Sequence, residues 1–562
     1  MTLDPEQAAV VHASAQERLV VTAPPGAGKS HVLVSRAEAL VDEEDTRVLA
    51  ISFSQAAVHV MRQRAAAANL HNVDFTTVDS LAGQLLATHG GELGSSFDAT
   101  ILRAISAVAT WSHQAARWNH ILVDEAQDIR GVRAELLHLV MSHCQGGATI
   151  LGDPRQAIFD FDDQGDDSPT VLDLVHDDER FKKVELTGNY RSSSRESKAV
   201  AAIRDSDARA AAALEQHVST NLGRIDSLGS AARRLSSSSE TVALLTRTRA
   251  QAAWLSAELG GSGVAIGVTD AAQTTGPADW IAKWLAAAPA KIQLKDFEAL
   301  VAEHYPEDLR FKWRQLVALV PVDRGRLAVA DVARALASAR ALPAGLRSLP
   351  GRQTISTVHR AKGLEFDEVI LLNPLDWKTF DNDGESNARV LYVALTRARK
   401  HTFELSLKED RRWKFDKLIG RPVKSAFRGG TLALGLEGTD ALTRRPLPTA
   451  QRDAQQEWLN RLTSPVQVSS SLNRARTRPN CPIFDLTADD GTIVGQTGRQ
   501  FGEVVAKLSR RPDHWPALRR LTVAGVITDG AAPGTAEDLP RNGLWLAPRL
   551  SGAVDLEWNG KH

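Results

Sequence analysis

The stretch LVVTAPPGAGKSHVLVSRA, residues 19–37, sets a β-branched apolar run before a Gly/Pro loop, and the loop before a segment with helical apolar spacing. A strand feeding a loop that opens a helix is the repeating unit of a parallel sheet. Gly26 and Gly28 let backbone N–H groups turn toward one point without a Cβ in the way, and the following helix N-terminus favours an anion there. The closing Gly28-Lys29-Ser30 is that of a Walker A loop. Ala23, Pro24, Pro25, Gly26, Ala27 and Gly28 are therefore expected to wrap phosphates, Lys29 to neutralise the β/γ-phosphates and Ser30 to hold Mg²⁺. Ala23 stands where the usual pattern begins with Gly.

Working outward, WNHILVDEAQD (residues 118–128) delivers Asp124 and Glu125 at the carboxyl end of an apolar strand, where ligands sit in an open α/β sheet. Asp124 is expected to bind Mg²⁺ and Glu125 to orient or deprotonate an attacking water. RLVVTA, RVLAIS, HILVDEA and ATILGD alternate with helical segments, and TVALLTRT, QTISTV, DEVILLN and TFELSL form a second such set. A helical stretch over 271–349 splits that second set. Residues 421–480 carry ten Lys/Arg against four Asp/Glu and read as part of a basic linker over 419–480. Residues 481–562 hold short strand-like runs between Gly and Pro and read as a small β-rich domain.

The 562 residues allow roughly three or four domains. Lys+Arg (67) and Asp+Glu (68) nearly cancel, so a nucleic-acid site has to be a local groove. Cys144 and Cys481 are the only cysteines, which excludes a disulfide framework or a cysteine-built metal cluster. The start MTLDPEQAAVV lacks a signal-peptide pattern, and no run of about 18 apolar residues occurs. A soluble, cytoplasmic protein without membrane contact is expected.

VDEAQD in this position resembles the Walker B motif of the superfamily 1 UvrD/Rep/PcrA helicases, and further motifs of that family follow in order over about residues 1–410. The resemblance implies an α/β fold of two RecA-like lobes with parallel sheets, over 1–185 and over 186–270 plus 350–418, with the reduced helical insertion inside the second. LDPEQ offers Gln7 as the residue reading adenine, and LGDPRQAIFDF offers Gln156 as γ-phosphate sensor. LTGNYRSS implies that Tyr190 stacks on adenine and Arg191 reaches the γ-phosphate. STVHRAKGLEFDEV brings Gly363 and Glu365 toward the nucleotide and Thr357 and His359 toward nucleic acid, and RVLYVALTRAR carries Arg397 as an arginine finger. Phe53 in ISFSQAAVHVMRQR, Thr77 in TTVDSL, and Phe159 and Phe161 are the remaining strand contacts the resemblance implies. ATP and Mg²⁺ are the implied cofactors, and single-stranded nucleic acid, DNA foremost, the implied partner.

The sequence departs from the family at two strand-contacting positions, where Asp79 replaces a His and Asp162 an Arg. With Asp160, Asp163, Asp166 and Asp167 nearby, either the strand is gripped weakly or with a partner's help, or these acids form a solvated loop turned away from it. Two functions remain open. One is a 3′–5′ single-strand translocase or helicase, in DNA repair or as motor subunit of an antiphage nuclease complex; the other is an ATP-gated DNA-binding subunit that switches a partner nuclease without processive unwinding.

Overall fold

The computed structural model describes residues 3–558 except 42–45, 54–57, 59–60, 63–64, 66–69, 71, 89–93, 95, 111–117, 145, 159–167, 177, 189, 191–199, 201–207, 262–266, 269–275, 302–308, 321, 339–341, 343–345, 347, 349–351, 380–383, 426–431, 510–513 and 532–538. Arg191, Phe159, Phe161 and the acids from Asp160 to Asp167 lie outside the described residues. The chain forms two compact units, one of residues 1–222, 361–367 and 374–402, the other of 223–360, 368–373 and 403–562.

The apolar runs of the first unit become β1 (Arg18–Thr22), β2 (Val48–Ser52), β3 (Val73–Thr77), β4 (His120–Asp124), β5 (Ala148–Gly152) and β6 (Lys182–Glu185). They join in the order β3-β2-β4-β5-β1-β6, every pairing parallel. β2, β4 and β5 are buried along their whole length, because helices cover both faces of a parallel sheet and leave no side for polar alternation. This is a RecA-like α/β lobe, and the carboxyl ends of β1, β4 and β5 carry the loops of the site.

A second six-stranded sheet holds β7 (Gly223–Ile225), β8 (Val242–Thr246), β9 (Gly267–Val268), β13 (Gln353–Thr357), β14 (Phe366–Leu372) and β15 (Ala398–Leu405), ordered β7-β15-β14-β8-β13-β9. Residues 361–367 and 374–402, which carry the helix Gly384–Leu395 and the starts of β14 and β15, group with the first unit.

Between β9 and β13 lie helices Asp279–Leu285, Leu294–Val301, Leu309–Leu319 and Val329–Ser338. They surround a three-stranded antiparallel sheet of β10 (Lys291–Ile292), β12 (Arg326–Ala328) and β11 (Val322–Asp323), so the insertion is not purely helical. Trp280 and Phe297 are core residues, with ring centroids 6.2 Å apart, and Trp284 and Trp313 pack against them half-buried. Leu300 on the same stretch is exposed, and the Phe311 side chain lies outside the described residues.

The basic stretch 419–480 does not run as a linker. It supplies β17 (Arg421–Lys424), β18 (Leu432–Gly435), the helix Thr449–Arg461 and β19 (Val466–Leu472). With β16 (Trp413–Asp416), β20 (Phe484–Thr487), β21 (Ile493–Gln496), β22 (Ala517–Arg519), β23 (Leu521–Gly530), β24 (Leu544–Ser551) and β25 (Ala553–Glu557) it builds two five-stranded antiparallel sheets over one core. Composition misleads here because cations on strands can face outward or be paired: buried Arg421 meets Asp440 at 2.7 Å. The insertion is bonded to this domain. The Thr528 hydroxyl donates to the Ala278 carbonyl at 2.6 Å, and the Asn542 amide donates to the carbonyls of Leu285 and Ala288, both at 2.8 Å.

Candidate nucleotide site

The phosphate loop leaves β1 with Gly26 and Gly28 at φ 84° and 80°, backbone that side chains other than glycine adopt with strain. A Cβ on Gly28 would also stand 2.9 Å from Gln7 Nε2. Gln7 belongs to the short helix Pro5–Val11, which Asp4 and Gln7 open with a reciprocal capping box. Its amide nitrogen donates to the Ala27 carbonyl at 3.0 Å, which pins the helix to the loop. Tyr190 reaches the same place from beyond β6: its N–H donates to the Gly26 carbonyl at 2.7 Å and its hydroxyl donates to Asp4. Tyr190 remains 52% exposed. Lys29 is buried and its ammonium donates to the Ala23 carbonyl at 2.9 Å, inside its own loop.

After β4 the chain turns at Glu125, which takes the left-handed conformation (φ 52°, ψ 42°) at about 1–2 kcal/mol for a residue with a Cβ. Asp124 is buried and accepts the Glu125 N–H at 3.0 Å. Gln127 holds the catalytic candidate in place, its amide donating to Glu125 Oε2 at 2.5 Å while its oxygen accepts the Asp153 N–H at 3.0 Å. Burial pushes the Glu125 carboxyl up, but Lys29, then Lys362, the Gln127 hydrogen bond and Arg397 outweigh it and hold the group below its ordinary value. An ionised carboxylate in this position suits a group that orients or deprotonates water.

Gln156, on the turn after β5, connects the rest. Its amide nitrogen donates to Asp153 Oδ2 at 2.9 Å and its oxygen accepts from the Arg397 guanidinium at 3.3 Å. Arg397 is 2% exposed and also donates to the Val393 carbonyl at 3.0 Å and the Thr396 hydroxyl at 3.1 Å. Lys362 donates to the Gln156 carbonyl and meets Asp128 at 2.5 Å, both side chains buried. The structure thus links Glu125, Gln156 and Arg397 in one hydrogen-bonded network, and the Lys29 charge acts on Glu125 from its own loop. Gln127, Asp128, Asp153 and Lys362 belong to it as well, though sequence reasoning gave them no role. Their only signal was position: four polar or charged residues inside motifs already quoted. Gly363 follows Lys362 at φ 78°, and Glu365 is paired with Arg399 at 3.2 Å.

Ser30 and Asp124 offer hydroxyl and carboxylate oxygens, a donor set that suits Mg²⁺. Among the described residues no group of three or more His, Cys, Asp or Glu is placed to hold a metal. A cation here would take its remaining ligands from phosphate and water, as Mg²⁺ does.

The strand-contact candidates are divided. Phe53 is half-buried against the first core, and the buried Thr77 hydroxyl donates to Ser80 Oγ at 3.0 Å. Asp79 is paired with Arg133 at 3.0 Å, and Arg133 also meets Asp98 at 3.0 Å, so its carboxylate has a local counter-charge. In the second unit Thr357 is buried and accepts the Arg360 N–H at 3.4 Å, while His359 is half-buried on the helix Val358–Ala361. Thr357, Ser356, Arg249, Arg360, Arg421 and Glu437 line one pocket there.

The family model of the AAA domain matches residues 6–162, and that of the UvrD-like helicase C-terminal domain matches 353–403. Among solved structures the chain is similar to the Pif1 helicase from Candida albicans, at 15% identity over 73% of this chain and 95% of that one, with a TM-score of 0.39. It is also similar to the Pif1 helicase from Bacteroides in complex with ADP-AlF3 and single-stranded DNA, at 14% identity over 73% and 93%, with a TM-score of 0.36. No curated protein matches the sequence. Both family models fall on the stretches that carry the network.

Proposed function

On the premise that this chain is a UvrD-like superfamily 1 helicase, we propose that it couples ATP hydrolysis to movement along single-stranded nucleic acid, DNA in our reading. The observation that carries this is the Asp153–Gln156–Arg397 chain beside Glu125: a cation held on a polar side chain next to the carboxylate that follows β4.

The exposed Tyr190 ring and Gln7 would receive the adenine. Phosphate oxygens replace the Ala23 carbonyl as partners of the Lys29 ammonium, which turns from holding its own loop to holding the nucleotide. Mg²⁺ on Ser30 and Asp124 would neutralise charge on the β- and γ-oxygens. Glu125, kept ionised and fixed by Gln127, orients the attacking water and takes its proton. Arg397 supplies positive charge to the spread charge of the transferring phosphoryl group, and Gln156 carries its state to the chain after β5. Movement toward the strand's 5′ end, and work in repair or within a cytoplasmic nuclease complex, are the parts of the proposal that rest on family resemblance alone.

The test is ATP turnover with and without oligo(dT), together with stopped-flow release of the protein from labelled strands of increasing length. Stimulated turnover and a release lag that grows with length support a motor. Stimulation without a lag favours a strand-gated switch, and turnover indifferent to any strand removes the reading.

A further inference from the structure

We propose that Lys362 is a positioning residue of the ATPase site, fixing the turn that follows Glu125 against the turn that carries Gln156. The proposal rests on the roles given above to Glu125, Gln156 and Arg397.

The Lys362 ammonium reaches two segments far apart in sequence. It meets Asp128 Oδ1 at 2.5 Å, with the two side chains 5% and 3% exposed, and it donates to the backbone carbonyl of Gln156. Asp128 closes the turn Ala126–Asp128, its N–H donating to the Glu125 carbonyl at 3.0 Å. Gln156 is the residue whose side chain receives Arg397. One buried cation therefore sets the distance between the carboxylate that handles water and the amide that holds the finger.

Stability alone is a poor reason for such a group. A buried ion pair seldom improves on apolar residues of the same size, because desolvating two charges offsets most of their attraction. Positional specificity explains the pair better. An ammonium bonded at once to Asp128 and to the Gln156 carbonyl ties the two turns to one point, where apolar side chains in contact would define no such tie. Gln127 braces the same two segments at another point, between Glu125 and the Asp153 N–H. Lys362 and Gln127 thus clamp the pair of turns at two points.

The experiment uses the full chain and compares Lys362→Met, Asp128→Asn, Lys362→Arg and the double variant Lys362→Met/Asp128→Asn. Thermal midpoint, saturating ATP turnover with oligo(dT), and the affinity for mant-ADP are measured for each. Each neutral single variant should lower turnover by about a hundredfold, the usual consequence of misplacing catalytic groups by an ångström. Nucleotide affinity should stay within about threefold, because Lys29 and the loop bind the phosphates. The double variant should recover the midpoint, since no uncompensated charge is left buried, yet not the turnover, and Lys362→Arg should recover part of it. If either single variant misfolds, the double variant still decides. Recovery of turnover together with the midpoint in the double variant would overturn the proposal and leave the pair a structural one, as would full turnover in the single variants. Wild-type protein that binds mant-ADP but hydrolyses no ATP would remove the reading of the site itself, and this proposal with it.

Discussion

Replacing Arg397 by Ala should lower saturating ATP turnover by about a thousandfold or more, the contribution of an arginine that stabilises phosphoryl transfer. The burial of Arg397 means that the variant also has a cost in stability that must be separated from chemistry. Its guanidinium satisfies the Val393 carbonyl at 3.0 Å and the Thr396 hydroxyl at 3.1 Å, besides Gln156 at 3.3 Å. The Val393 carbonyl keeps the Thr396 hydroxyl at 2.9 Å and the Thr396 N–H at 3.2 Å as donors, so the main loss is at the buried Gln156 oxygen, and leaving one buried acceptor without its donor costs about 1–3 kcal/mol. Set against a typical total of about 5–15 kcal/mol, that is a large share, and the thermal midpoint should fall visibly. Turnover is therefore measured by stopped-flow phosphate release well below the variant's own midpoint, with strand and ATP saturating. Arg397→Lys serves as the companion, since an ammonium keeps the charge and some of the buried bonds but loses the planar fork; it should be more stable than the Ala variant and still slow. A folded Ala variant that loses less than about tenfold would refute the finger and leave Arg397 a structural bracket between Gln156 and the helix that precedes it.

Lys29→Ala and Glu125→Gln should both abolish turnover, but only the second should leave ATP binding near wild type, because the ammonium serves phosphate and the carboxylate serves water; equal loss of mant-ATP affinity would refute the division. Tyr190→Ala should raise the Michaelis constant for ATP more than it lowers maximal turnover, stacking being mainly uniform binding, and an unchanged constant would remove the exposed ring from the adenine site. His120 gives a pH dependence of stability: burial holds its imidazole down to about 4, with ring nitrogens 2.9 Å from the Ala15 carbonyl and 3.0 Å from the Thr149 hydroxyl. The unfolded ring binds its proton first, so about 3 kcal/mol of stability is present above pH ~6.5 and is lost as pH falls from there toward the folded value. His120→Gln should flatten that part of the urea-unfolding profile, and an unchanged slope would show that another group sets it.

The phosphate loop was legible in the sequence because everything it needs is local: glycines at Gly26 and Gly28, a lysine and serine at the helix start, and an apolar run before them. The strands were legible for the same reason, since runs such as His120–Asp124 are buried on both faces and leave a continuous apolar signature. Even Asp124 and Glu125 could be placed from the strand that ends at them. The basic stretch after β15 was misread because composition reports charge and not facing, and a buried Arg421 bonded to Asp440 looks the same in sequence as a solvated one. The electrostatic partners were not legible at all. Lys362 finds Asp128, Arg397 finds Gln156, and Arg133 finds Asp79 across separations of 234, 241 and 54 residues. Thr528 and Asn542 likewise reach back to the insertion over 250 and 254 residues. A charged side chain carries no periodicity that names its partner, so only the packing of strands and helices around it decides which group it meets. The sequence by itself determined the lobe and its loop chemistry, and the tertiary structure alone decided which buried charges hold that chemistry in place.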